Sequence, residues 1–209
     1  MAANLAQHLI EHGSPPSLQE RKQALVRSAI WDAATDLFAE QGYDETTIDD
    51  IAKKAGVSRR SFFRYFASKS DLMASGVFDF GTLLTEAIEA CPPQYSLAEV
   101  FRQTVFQVAE QCAALPRTRK IMQIAAKYPA AREAHQSRAG ELQERVENAL
   151  ARRTGDALAA GVVAGLIVSV LAVIFRAWFE SGRQEIAATA NQVLATLARL
   201  VCDGSDRVV

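Results

Sequence analysis

The segment Thr46–Asp71, TTIDDIAKKAGVSRRSFFRYFASKSD, constrains this chain more than any other stretch. Thr47, followed three residues later by Asp50, is a capping box that starts a helix at Ile48. Ile48, Ile51 and Ala52 fall on one face at helical spacing. Gly56 stops this helix, because the residue past a C-terminus often needs the left-handed conformation. Ser58 caps a second helix that begins at Arg59. On that helix Phe62 and Phe66 are four apart and share a face. Arg60 and Arg64 have the same spacing and, at about 100° per residue, point away from the phenylalanines, so Arg60 is expected to reach base edges, where arginine pairs with guanine. Ser61 and Phe63 lie on the flanks. Ser68 with Asp71 is a further capping box, opening a third helix with Lys69 in its first turn.

Between Ile51 and Ser70 the cations are Lys53, Lys54, Arg59, Arg60, Arg64 and Lys69, with no acid among them. Two short helices joined by a glycine turn, the second with arginines on its outer face, form a helix-turn-helix that reads the major groove of double-stranded DNA. The net charge is −1, so affinity for nucleic acid has to come from this local patch.

The run GYDETTIDDIAKKAGVSRRSFFRYFASKSDL, with Ile30, Ala33, Ala34, Leu37 and Phe38 upstream, resembles the N-terminal module of the TetR family of bacterial repressors. The resemblance covers about the first third of the chain. It implies that the helix from Arg59 to Tyr65 lies in the major groove. It also implies that Thr47, Tyr65 and Lys69 touch phosphate. Phe63 stands where the family usually carries a backbone-contacting tyrosine, and it lacks that hydroxyl. The C-terminal two thirds resemble, more loosely, the actinobacterial-type and mycofactocin-type regulators of the family.

The remainder reads as all-α. Residues 1–17 form an arm, 18–70 the helix-turn-helix domain, and 71–209 a helical domain for effector binding and dimerisation. Ser17 with Glu20 opens a helix over Leu18–Glu40, and Ser96 with Glu99 opens another. Pro116 and Pro129 suit first turns, the second helix running unbroken to Gly155. His8, Glu11 and His12 spell a zinc-peptidase pattern, but a short terminal segment offers no third ligand, so solvated histidines and no metal are expected. Cys91, Cys112 and Cys202 have neither metal spacing nor a disulfide framework, which favours a reducing cytoplasm. No phosphate loop, nucleophile elbow or cofactor motif is present, so neither catalysis nor a cofactor is expected.

Residues 157–175 carry no charge and reach the length of a membrane span. Their Ala and Gly content, thin basic flanks and amphipathic continuation to Glu180 favour a buried helix and no membrane. A membrane-anchored helical protein, or a helical carrier or enzyme, is the competing reading. Gly161 and Gly165 belong to a small-residue stripe that admits a close neighbour. The last two helices resemble the pair through which TetR proteins form homodimers. This implies an interface of Gly161, Gly165, Trp178, Ile186, Val193, Leu194 and Leu197. Phe78, Phe101, Phe106, Met122 and Tyr128 suit an apolar or amphipathic effector, with Arg102 and His135 at its polar end. The expected protein is a repressor that a small molecule releases from a palindromic operator.

Overall fold

The computed structural model describes residues 17–182 and 185–205, without the side chains of residues 76–79, 135 and 201–205. The arm before Ser17, with its His8–Glu11–His12 pattern, lies outside the described residues. Ten helices and no strand occur among those residues, so the chain is all-α.

The chain divides into two compact units between Leu72 and Met73. In the first, α1 (Leu18–Glu40) begins at the Ser17/Glu20 capping box and buries Ile30, Ala33, Ala34, Leu37 and Phe38. α2 (Ile48–Lys54) and α3 (Arg59–Tyr65) follow, α2 packing on both α1 and α3. The turn between α2 and α3 is a Schellman motif. Val57 N–H donates to Ala52 O at 2.9 Å and Gly56 N–H to Lys53 O at 3.2 Å, with Gly56 at φ 67°.

α4 (Lys69–Ala90) starts in the first unit and continues into the second. The second unit contains α5 (Leu97–Ala113), α6 (Pro116–Lys127), α7 (Pro129–Gln136), α8 (Ala139–Thr154), α9 (Ala157–Ser181) and α10 (Ile186–Ser205). Its core joins Leu84 and Ile88 of α4 to Val105 and Val108 of α5, Val146 and Leu150 of α8, and Ile167 and Ile174 of α9. Three arginines lace α8 along α4. Arg145 Nη2 reaches Thr82 Oγ1 at 3.1 Å, Arg152 pairs with Glu89 at 3.1 Å, and Arg153 donates to the Cys91 and Pro92 carbonyls.

The single helix expected from Pro129 to Gly155 is instead two. Ser137 Oγ donates to Ala134 O at 2.7 Å, and Arg138 (φ −104°, ψ 15°) leaves the helical conformation. A serine that satisfies a local carbonyl offers the backbone an alternative to the helical ladder.

Gly56→Ala isolates the backbone cost at the turn, because an added Cβ would meet nothing within 4 Å. The left-handed conformation alone should lower the first unit's unfolding free energy by about 1–2 kcal/mol, measurable by urea denaturation.

Candidate nucleic-acid interface

α3 presents two faces. Phe62 and Phe66 are buried, their ring centroids 5.8 Å apart, and the Arg27 guanidinium lies 5.4 Å from the Phe66 ring. On the other side Arg60 and Arg64 are exposed, and Phe63 is 44% exposed. Ser58 caps the helix by accepting from Ser61 N–H at 3.0 Å. The Ser61 hydroxyl lies 3.0 Å from Ser58 Oγ, so it is already engaged in the cap. Arg64 Nη2 donates to Tyr65 Oη at 3.2 Å, with its guanidinium 4.9 Å from the Tyr65 ring. Arg60 makes no hydrogen bond or ion pair among the described residues.

α2 supplies the neighbouring edge. Thr47 N–H and Oγ1 donate to Asp50 Oδ2 at 3.0 and 2.6 Å, and Asp50 N–H donates to Thr47 Oγ1 at 3.2 Å. The Thr47 hydroxyl, and then its backbone N–H, hold the Asp50 carboxyl below its ordinary value of 3.8. Two of the six cations are paired with acids that precede the basic run. Lys54 meets Glu40 and Arg59 meets Asp49, each at 2.8 Å. Asp49 carries no cap and was not among the expected site residues; no spacing in the sequence announces a pair ten residues apart.

Lys69 differs from expectation. Its ammonium donates to the carbonyls of Tyr43, Asp44 and Thr46 at 2.5, 3.2 and 3.0 Å, and sits 4.5 Å from the Tyr43 ring. An ammonium has three N–H donors, and all three are used within the protein. Desolvation pushes its pKa down, against the pull of Asp44 and Glu45. Lys69 therefore ties the first turn of α4 to the loop before α2. Tyr43 Oη, 3.3 Å from Ser70 Oγ, braces the same junction.

The expected effector residues differ in burial. Phe101 and Phe106 are half-buried against the second unit's core, Met122 and Tyr128 are half-buried, and the Phe78 and His135 side chains lie outside the described residues. Arg102 is exposed beside Glu99, so it is not turned into the core. An open groove of about 440 Å³ is lined by Pro129, Arg132, Glu133, Gln136 and Ser137, none of them an expected residue. Thr104 Oγ1 and Trp178 Nε1 are buried without a hydrogen-bond partner.

The expected dimer residues divide. Trp178 and Ile186 are buried in their own core, so neither offers a free surface, and Arg119 lies 4.3 Å from the Trp178 ring. Gly161 and Gly165 face Glu147 and Gln143 of α8, where an added Cβ would come within 3.5 and 3.7 Å, so the stripe serves packing within the chain. Val193, Leu194 and Leu197 are half-buried against the core. The outward apolar face of α9 is instead Leu158, Val162, Leu166 and Val173. Burial pushes the Cys112 thiol up to about 12, which makes it unreactive, and Cys91 is buried as well.

Two short helices in a Schellman-turned hairpin, one face locked by phenylalanines and the other carrying arginines, define a helix-turn-helix DNA-binding module. Residues 30–75 match the model of the bacterial regulatory proteins of the tetR family. The N-terminal module is therefore of the kind found in the TetR family of transcriptional regulators. The chain is similar to the HTH-type transcriptional regulator TcmR of Streptomyces glaucescens, 31% identical over 99 residues, which are 46% of this chain and 44% of TcmR. It is also similar to the putative mycofactocin biosynthesis transcriptional regulator MftR of Mycobacterium tuberculosis, 39% identical over 66 residues, 32% of each chain. These matches thus span less than half the length of either relative. The fold resembles that of NalD, the secondary repressor of the MexAB-OprM multidrug efflux pump in Pseudomonas aeruginosa. That likeness has a TM-score of 0.62 at 18% identity, over 85% of this chain and 96% of NalD.

Lys69→Met keeps the stem over Tyr43 and removes the donors. Faster amide exchange in residues 41–47 and weaker binding to every duplex are expected. The salt slope should stay unchanged, whereas loss of a phosphate contact would reduce it by about one unit per subunit.

Asp50→Asn should destabilise the first unit at neutral pH. The folded carboxyl titrates below 3.8 and the unfolded one at its ordinary value. The cap's contribution is therefore complete above the unfolded value and lost as pH falls through the folded one. The stability gap between variant and wild type should close in that acid window, followed by circular dichroism.

Proposed function

We propose that the protein is a cytoplasmic repressor that binds a palindromic operator as a homodimer and is released by a small apolar or amphipathic molecule. The observation that carries this reading is the outward face of α3, where Arg60, Arg64 and Phe63 are exposed while Phe62 and Phe66 anchor the helix. Residues 18–70 would read DNA and residues 71–209 would bind effector and partner. Two recognition helices about 34 Å apart, one per subunit, would match a two-fold symmetric site.

The dimer is supported by α9. Leu158 and Val162 are 81% and 57% exposed, and with Leu166 and Val173 they form one apolar stripe at helical spacing. A second copy offers the same stripe, the self-complementary geometry of a two-fold interface. The length and apolar composition of α9 also satisfy the requirement for a membrane span. The buried stripe through Ala160, Ala164, Ile167, Leu171 and Ile174, packed in the second unit's core, favours a soluble helix. The effector reading is supported by the unpartnered Thr104 and Trp178 groups in the second unit, since a buried polar atom without a partner is costly until something bonds it.

Selection of duplexes from a randomised library by the full-length protein tests the reading. Enrichment of a two-fold symmetric sequence, and its release by apolar small molecules, is expected. Enrichment of no sequence would end it.

The double change Val162→Glu, Leu166→Glu places carboxylates on the exposed stripe. The wild type should purify as a dimer without detergent, and the variant should sediment as a folded monomer. Loss of the second half-site contact should weaken operator binding by about 100-fold or more. A wild type that stays monomeric, or requires detergent, would refute this interface.

A further inference from the structure

We propose that Arg59 is the residue of α3 that reads a guanine, and that Asp49 of α2 is a positioning residue that holds it in the reading geometry. The proposal rests on the DNA-reading function argued above and assigns its specificity.

Arg59 is the first residue of α3, and the N-terminal end of a recognition helix is the part that meets base edges. Arg59 Nη1 donates to Asp49 Oδ2 at 2.8 Å. The guanidinium lies 5.6 Å from the Phe63 ring. One side of the fork is thus tethered by a carboxylate and the other rests on an aromatic ring. The remaining guanidinium donors make no contact among the described residues. The Arg59 and Asp49 side chains are 60% and 65% exposed, so the pair stands on the solvent face and is no core link.

An acid on a DNA-facing edge repels phosphate, and that repulsion acts on every sequence alike. Pre-ordering acts on the specific complex alone. Arginine carries several rotatable bonds, and a free one loses that freedom when it forms a bidentate contact with guanine O6 and N7. The Asp49 carboxylate and the Phe63 ring restrict Arg59 before it binds. Arg60 is exposed and untethered, so it loses its freedom on binding and contributes mainly positive potential. Asp49 thus weakens non-specific binding and sharpens base recognition. Asp49 is outside the Thr47/Asp50 capping box, so replacing it leaves the α2 cap intact.

The test uses full-length protein, the duplex that the wild type selects from a randomised library, its single-base-pair variants, and a scrambled duplex. Asp49→Asn should bind the scrambled duplex about two- to threefold more tightly, through loss of one negative charge per subunit. It should also lose about fivefold or more of its preference for one G·C pair in each half-site. Arg59→Lys keeps the charge but lacks the planar fork, so the same preference should fall with the salt slope unchanged. Arg60→Ala should lose affinity yet keep the preference at that pair. Equal shifts on selected and scrambled duplexes for Asp49→Asn would overturn the proposal and leave the pair a surface link between α2 and α3. Retention of the guanine preference by Arg59→Lys would overturn it as well. A wild type that selects no sequence would instead remove the DNA-reading function on which the proposal rests.

Discussion

A seven-residue helix has no stability of its own, since isolated helices shorter than about 12–15 residues are marginal in water. α3 exists because Phe62 and Phe66 are buried and because Ser58 and the Gly56 turn fix where it begins. Full burial of one such phenylalanine stabilises by about 1.5–3 kcal/mol, and a serine cap adds about 1 kcal/mol. The direction of the outer face follows from the inner one. Once the two phenylalanines point inward, Arg60 and Arg64 point outward. The reading face is therefore set by packing on the opposite side.

What the sequence discloses is local chemistry. The capping boxes at Ser17/Glu20, Thr47/Asp50 and Ser96/Glu99 form from two residues three apart, whereas at Ser68/Asp71 the serine hydroxyl accepts from Asp71 N–H and the Asp71 carboxylate accepts from Ala67 N–H, each at 2.9 Å. The left-handed glycines at 56, 155 and 182 end their helices. What the sequence conceals is contact between distant segments. Lys69 looks like a phosphate ligand because it is a cation in a first turn, yet its partners are carbonyls 23 to 26 residues earlier. Arg59 and Asp49 read as members of separate helices until the turn folds them together. Charge counts overstate the basic patch for this reason, since Lys54 and Arg59 meet acids lying outside the run.

α9 shows a second limit. A helix that is apolar on every side has no amphipathic signal, so its pattern cannot say which stripe turns inward. The structure resolves three. Ala160, Ala164, Ile167, Leu171, Ile174 and Trp178 face the core. Gly161 and Gly165 leave room for the long polar side chains of α8. Leu158, Val162, Leu166 and Val173 remain outward. Small residues advertise close approach but do not identify the neighbour, and here the neighbour belongs to the same chain.

α4 carries the last constraint. Within the first unit, Lys69 binds its first turn to the loop that ends at the Thr47 cap. Within the second, Arg145 and Arg152 of α8 bind its later turns and Arg153 the carbonyls just past its end, and the absence of a side chain at Gly81 is what lets Arg145 lie so close. α4 cannot shift against α8 without disturbing arginine contacts, and its first turn cannot shift without moving the carbonyls that precede α2.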